Sequence, residues 1–165
     1  MICLSFNCRG LANPDKRLAL KRLCQSETLD AIFLQEALGD VHQINKLLLS
    51  FLPTWEFHFL DVKGHSSGCA LGFNTRTTKI LNVWGGEGLL GADILSMELS
   101  KPFRFINIYG PFQNREVFWN RIMETDFMNQ DNIIIGGDSN FSLASVESSG
   151  FRGQSDHLTA FLKTY

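Results

Sequence analysis

The chain has few prolines, a small net charge and no long apolar run. It holds 4 prolines in 165 residues, and its formal net charge is −2. No apolar run approaches the roughly 18 residues that suggest a membrane span, and no apolar signal segment opens the sequence. These absences argue against a helical membrane protein and predict an intracellular protein, nuclear or cytoplasmic, that is not secreted.

The four cysteines, Cys3, Cys8, Cys24 and Cys69, show no C-x-x-C spacing and sit mostly in apolar runs. That distribution favours buried, reduced thiols over disulfides or a zinc site. Proteins that bind nucleic acid tightly usually carry a basic face, whereas the basic residues here concentrate only in one segment (Arg9, Lys16, Arg17, Lys21 and Arg22), typical of a solvated helix face. Because bound cations would add charge that this count omits, composition neither supports nor excludes nucleic acid.

The length fits one domain with its own core. The pattern predicts a strand at 2–6, a helix from Pro14 capped by Asn13, a strand Ala31–Gln35 and a helix that ends before Pro53. Short strands follow at 55–61, 69–73, 79–84, 93–99 and 103–109, then a helix capped by Asn114 and a strand at 132–136. Helices on both sides of a run of hairpins predict mixed sheets covered by helices.

One segment carries the clearest chemical signal, an apolar run that ends in two glycines before Asp138, Ser139 and Asn140. In extended backbone, residues i and i+2 point to the same side. We therefore expect Asp138 and Asn140 to lie together at the carboxyl end of a buried strand, where open α/β sheets place their ligands. Alone, the motif is equally typical of a strand followed by a tight turn.

Three further segments close an apolar run on polar residues: Ser5–Leu11 (SFNCRGL), Ile32–Glu36 (IFLQE) and Asn107–Pro111 (NIYGP). In this order, with the glycine-aspartate segment, they resemble the endonuclease/exonuclease/phosphatase superfamily. The resemblance is greatest to the endonuclease domain that opens plant LINE-type retrotransposon proteins, and it covers nearly the whole chain. It implies a four-layer α/β sandwich and a metal-dependent DNA endonuclease that uses Mg²⁺, with Mn²⁺ as an alternative, and has DNA as its partner.

The resemblance also assigns roles to individual residues. Glu36 would hold the metal, although from this residue alone a solvated glutamate at a strand end is the better interpretation. The residues assigned to catalysis are Asn7, Tyr109, Asp138 and Asn140, with Asp138 orienting or deprotonating water and Asn140 binding the phosphate. Arg9 and Asn107 are assigned to substrate binding, with ordinary loop charge an equal alternative for Arg9.

The family's late catalytic Asp and His are not found in their expected place. Ser155-Asp156-His157 looks like the terminal motif, but Asp156 lies only 18 positions after Asp138. Leu158, Phe161 and Leu162 have helical spacing, which predicts instead a terminal helix with Ser155 as its N-cap. We therefore expect residues 1–165 to form a single domain truncated before its C-terminal strands, impaired in activity and able to self-associate through exposed sheet surface. The alternative is a catalytically inactive remnant that acts at most as a binding or interaction module.

Overall fold

The computed structural model describes residues 1–60, 68–86, 88–125 and 131–140. Within these ranges the helices are α1 (Pro14–Ser26), α2 (Val41–Phe51) and α3 (Arg115–Met123). The strands are β1 (Cys3–Asn7), β2 (Ala31–Gln35), β3 (Trp55–Leu60), β4 (Cys69–Asn74), β5 (Thr78–Gly86), β6 (Leu89–Ser96), β7 (Pro102–Tyr109) and β8 (Ile133–Asp138).

The strands form two mixed four-stranded sheets, in the orders β1-β2-β4-β3 and β5-β6-β7-β8. In the first sheet only β1 and β2 run parallel, and in the second only β7 and β8 do. Parallel neighbours end at the same edge of a sheet. Each sheet thus brings the carboxyl ends of two strands together, and these are the strands that end in the sequence motifs.

The two sheets pack face to face, and helices cover their outer faces. Phe33 of β2 stacks on Phe105 of β7 with ring centroids 5.6 Å apart, and Phe73 of β4 meets the same ring edge-on. Leu20 of α1 and Leu48 of α2 are buried against the outer face of the first sheet, while Trp119 and Ile122 of α3 cover the second. The predicted four-layer α/β sandwich is confirmed.

The N-termini of the helices differ in how they are capped. Asn13 caps α1 as predicted, since its side chain accepts a hydrogen bond from the backbone N–H of Asp15 at 2.9 Å. Asp40 caps α2 in the same way through Gln43 N–H. Asn114 stands at the N-cap position of α3, but its backbone is left-handed (φ 53°) and its side chain makes no capping hydrogen bond. The predicted capping role of Asn114 is therefore wrong.

Strand β6 shows the largest difference from the predicted elements, because it begins at Leu89 rather than at residue 93. Gly91 interrupts the apolar pattern of this strand, and it has a packing role. A Cβ at Gly91 would lie 2.2 Å from the Trp84 ring on β5, so the indole occupies the space above the glycine. Strand β8 likewise runs through both of its glycines to Asp138, two residues beyond the predicted end.

The cysteines are all free, and three of them are buried. Burial raises the pKa of Cys8 and Cys69 to about 12 and that of Cys24 to about 11, so these thiols stay protonated near neutral pH. Cys3 is exposed, contrary to the prediction, because it lies on an outer strand of its sheet. In the part of the chain that the structure describes, no helix is long and apolar enough to cross a membrane.

Candidate active site

The carboxyl ends of four strands meet at one edge of the two sheets. Asn7 and Glu36 lie at the ends of β1 and β2, and Tyr109 and Asp138 at the ends of β7 and β8. The strands of the two sheets are in contact here, since the backbone N–H of Gly137 donates to the Ser5 hydroxyl at 3.2 Å. Residues that lie up to 132 positions apart in the sequence are thereby brought together.

Asn7 connects the two carboxylates. Its side-chain nitrogen Nδ2 lies 2.9 Å from Glu36 Oε1 and 2.7 Å from Asp138 Oδ2, and donates to both. Its Oδ1 accepts a hydrogen bond from the backbone N–H of Arg9 at 3.1 Å, which fixes the orientation of the amide. One amide thus holds two half-buried carboxylates within reach of a common ligand.

Glu36 is held in a backbone conformation that non-glycine residues seldom adopt, with φ 51°. Its carbonyl accepts from the N–H of Gly10 at 2.8 Å, and the preceding carbonyl of Gln35 accepts from Cys8 N–H at 2.8 Å. The loops after β1 and β2 are therefore bonded to each other. Strain of this kind, of order 1–3 kcal/mol, persists where surrounding contacts impose it and clusters at functional sites.

Tyr109 reaches the same carboxylate from the second sheet. Its hydroxyl donates to Glu36 Oε1 at 3.4 Å, a long hydrogen bond. The backbone beyond Tyr109 continues to pair with β8, because Gly110 N–H donates to the Asp138 carbonyl at 2.7 Å. The hydroxyl therefore contacts the Glu36 carboxylate from a backbone that hydrogen bonds hold at Tyr109, through the Gly88 carbonyl, and at Gly110.

Asp138 and Asn140 lie together, but not for the reason that the sequence suggested. Strand β8 ends at Asp138, and Asn140 has a left-handed backbone with φ 53°. The N–H of Asn140 donates to Asp138 Oδ1 at 3.0 Å, a hydrogen bond typical of an Asx turn. A turn, rather than an extended strand, brings the two side chains to the same place.

The structure adds Arg115, which the sequence reading did not single out. Asn140 Nδ2 donates to the carbonyl of Gly110, and the Arg115 guanidinium donates to the Asn140 carbonyl at 2.8 Å. Arg115 is the first residue of α3, so the loop from Gly110 to this helix brings a cation to the rim of the site. The sequence feature that could have indicated Arg115 is its position shortly after the Tyr-Gly-Pro motif.

The structure gives two predicted substrate-binding residues different surroundings. Arg9 is exposed and lies in the loop after β1, where its backbone N–H donates to the Asn7 side chain. Asn107 has no exposed surface, and its amide is bonded inside the protein. A substrate cannot reach Asn107, so its predicted binding role is incompatible with its burial. The Ser155-Asp156-His157 segment and its predicted helix lie outside the described residues.

The residues at this edge suit a magnesium ion. The described ranges hold no group of three or more His, Cys, Asp or Glu side chains that could hold a metal ion. The carboxylates that meet at this edge are Glu36 and Asp138. Mg²⁺ takes one or two protein carboxylates and keeps several waters. Glu36 and Asp138, half-buried and joined through one amide, form a donor set of that kind.

Comparisons with known proteins agree with this architecture. A sequence model of the endonuclease/exonuclease/phosphatase family matches residues 4–164. No curated protein matches the chain. Among solved structures, TDP2 of D. rerio complexed with a single-strand DNA product has a TM-score of 0.64 at 18% identity, covering 84% of this chain and 60% of that one.

Two further structures extend the likeness. An endonuclease/exonuclease/phosphatase family protein from Bacteroides thetaiotaomicron has a TM-score of 0.65 at 15% identity, over 83% of this chain and 62% of that one. The human Nocturnin catalytic domain with a bound sulfate anion has a TM-score of 0.59 at 16% identity, over the same shares, 83% and 62%. The chain thus spans about three fifths of the length of these structures.

Proposed function

Since the chain belongs to the endonuclease/exonuclease/phosphatase family, we propose that it hydrolyses phosphodiester bonds of nucleic acid with a divalent cation. Enzymes of this family generally depend on a divalent metal. The observation that carries the proposal is the Asn7 amide, which joins Glu36 of one sheet to Asp138 of the other. Two carboxylates on one neutral donor repel each other, and a cation would relieve that repulsion.

Each residue of the site has a role that follows from its contacts. Glu36 would hold Mg²⁺, or Mn²⁺ in its place, and the bound ion would supply Lewis-acid chemistry at the phosphate and lower the pKa of a bound water. Asp138 would orient or deprotonate the attacking water. Hydrogen bonds from Asn140 N–H to Oδ1 and from Asn7 Nδ2 to Oδ2 hold its carboxylate in place. Asn140 and Tyr109 are the hydrogen-bond donors that would stabilise charge developing on the phosphate.

The proposed substrate is DNA, and the proposed reaction is the endonucleolytic nicking typical of LINE-type retrotransposon proteins. The four motifs in their order support this choice over other reactions of the family. Arg9 and Arg115 supply positive charge at the rim, where a phosphate backbone would approach. The net charge of −2 does not oppose the proposal, because a bound cation offsets part of it.

Nicking of supercoiled plasmid in Mg²⁺ tests this function directly. The late catalytic Asp and His are absent from their expected place in the sequence, and members of one catalytic unit fail together. We therefore expect nicking that is very weak or at background, and any activity above background to be lost in Glu36→Ala. Brisk, metal-dependent nicking by a monodisperse monomer would contradict the expectation of an impaired domain. Activity that persists in Glu36→Ala would remove Glu36 from the site.

We also propose that copies of this chain associate through the sheet edges at β1 and β8. Both strands stand at an end of their sheet in the described residues, and the Ser5–Gly137 hydrogen bond shows that they lie side by side. Ile2, directly before β1, and Ile135, on β8, are each 46% exposed. Exposed apolar edge strands offer hydrogen bonds and apolar surface to another chain.

Sedimentation velocity measures this association. Replacing Ile135 by lysine is expected to shift the protein toward monomer at a given concentration, because a charge on an edge strand disfavours pairing. Val117→Lys, at a side chain 54% exposed on α3, is the matched control and should leave the distribution unchanged. A monomeric wild-type protein, or equal shifts in both variants, would contradict the edge model.

A further inference from the structure

The candidate site is divided between two sheets, so its geometry depends on how the sheets sit against each other. Asn7 and Glu36 belong to the first sheet, whereas Tyr109 and Asp138 belong to the second. Most of the material between the sheets is apolar, including the rings of Phe33, Phe73 and Phe105. Apolar contact is non-directional and does not by itself fix the position of one sheet to a fraction of an ångström.

A pair of buried amides supplies a directional connection. Gln35 and Asn107 are 1% and 0% exposed, and Gln35 Nε2 donates to Asn107 Oδ1 at 2.7 Å. Asn107 Nδ2 donates to the carbonyls of Leu34 on β2 and Ala70 on β4, each at 2.9 Å. The Asn107 side chain thus extends from the second sheet to the last residue pair of β2 and β4 in the first sheet, Leu34 and Ala70.

Both amides adjoin residues of the site. Gln35 directly precedes Glu36, the proposed cation ligand, and Asn107 lies two residues before Tyr109 on the same face of β7. A slide of one sheet against the other would leave buried donors and carbonyls without partners, which is strongly unfavourable. The hydrogen bonds therefore oppose such a slide at the level directly beneath Glu36 and Tyr109.

We propose that the Gln35–Asn107 amide bridge is a positioning device that sets the alignment of Glu36 with Tyr109 and, through Asn7, with Asp138. Its consequence for cation binding rests on the proposed function, but the alignment itself does not. Neither amide touches the substrate, since both are buried, so they act through the residues that follow them along the strands. Misplacement of about 1 Å in such a site is enough to lower a reaction rate about 10²-fold.

The Asn7 side-chain amide reports this alignment without any activity measurement, because its hydrogens are shared by Glu36 and Asp138. Its NMR signals can be assigned by their loss in Asn7→Ser. In Asn107→Leu, which removes the bridge at similar volume, we expect these hydrogens to exchange with solvent at least about tenfold faster. Gln35→Met, which removes the Gln35 amide but leaves the Asn107 bonds to the two carbonyls, should give a smaller change of the same kind and serves if Asn107→Leu does not fold.

Two further variants separate positioning from general loss of stability. Ile94→Ala opens a cavity in the same core, on β6, and should destabilise the fold without altering the Asn7 signals. The double variant Gln35→Asn/Asn107→Gln swaps the two side chains, so that both amides and their summed length are kept. It should restore slow hydrogen exchange of the Asn7 amide at least in part.

Mn²⁺ titration followed by paramagnetic broadening provides the second measurement. We expect affinity about tenfold lower in Asn107→Leu than in the wild-type protein. If the wild-type protein binds no cation, the proposed function fails while the hydrogen-exchange result still decides the alignment. The inference is overturned if neither bridge variant changes the Asn7 signals or if Ile94→Ala changes them equally. It is also overturned if the double variant exchanges the Asn7 amide hydrogens as fast as the single bridge variants do.

Discussion

Replacing Gly137 by alanine is expected to destabilise the protein by about 3–5 kcal/mol, a large part of the roughly 5–15 kcal/mol that holds a typical domain folded. A Cβ at this position would lie 1.9 Å from the carbonyl oxygen of Ile108 and 2.7 Å from its nitrogen. These are backbone atoms of the paired strand β7, so no side-chain rotation relieves the contact. The φ of 139° adds strain for any residue with a Cβ.

Urea denaturation followed by circular dichroism measures this loss. Gly86→Ala is the matched control, since a Cβ there would meet no atom within 4 Å and Gly86 lies on β5, at the opposite end of the strand order from β8. We expect the control to stay within about 1 kcal/mol of the wild-type protein. Equal midpoints for the two variants would show that β7 and β8 are not held at the separation seen here. Because Asp138 follows Gly137 directly, Gly137→Ala should also disturb the carboxylate.

The second large effect is expected from Glu36→Gln, which removes one negative charge with almost no change in shape. A ligand that binds only the folded protein stabilises it, by about 2.7 kcal/mol at 100 times its dissociation constant. We expect Mg²⁺ or Mn²⁺ to raise the unfolding free energy of the wild-type protein in this way. In Glu36→Gln the shift at the same cation concentration should fall to about half, about 1.4 kcal/mol, or less, because the affinity falls by about tenfold or more.

Thermal or urea unfolding at a series of cation concentrations checks this expectation. Glu56→Gln serves as the control, because it removes the same charge from a side chain 54% exposed on β3, away from the site. Without added metal, Glu36→Gln should be no less stable than the wild-type protein, since the repulsion between Glu36 and Asp138 is reduced. A cation-dependent shift that is as large in Glu36→Gln as in the wild-type protein and in Glu56→Gln would place the metal elsewhere.

The burial of Asn107 shows where motif reading loses information. The motif Asn-x-Tyr put Asn107 and Tyr109 on one face of a strand, and the structure has both on the face toward the other sheet. The pattern does not say that the strand end rises out of the core between the two positions, so Asn107 is fully buried while Tyr109 is partly exposed. Depth below the surface depends on what the other sheet places above a residue, which no local pattern records.

The start of β6 was predicted wrongly for a similar reason. Gly88 and Gly91 interrupt the apolar alternation, and the pattern therefore began the strand at residue 93. In the structure the Trp84 indole covers Gly91, and the strand runs through it from Leu89. The local cost of glycine in a strand is about 0.5–1 kcal/mol, and packing of a large aromatic ring against it offsets that cost. This compensation comes from a neighbouring strand and is invisible to a window of sequence.

The sequence by itself determined the elements and the chemistry of their ends. Apolar runs closing on Asn7, Glu36, Tyr109 and Asp138 placed each polar side chain at a strand terminus, because strand formation and apolar burial follow from local pattern. Tertiary structure decided which termini meet. The Asn7 amide joins Glu36, 29 residues away, and Asp138, 131 residues away, since strands β1 and β8 from different sheets lie side by side. Parallel pairing of β1 with β2 brings Glu36 to Asn7 within the first sheet, and packing of the two sheets brings Asp138 to the same amide. The physical cause of both is contact between segments remote in the chain.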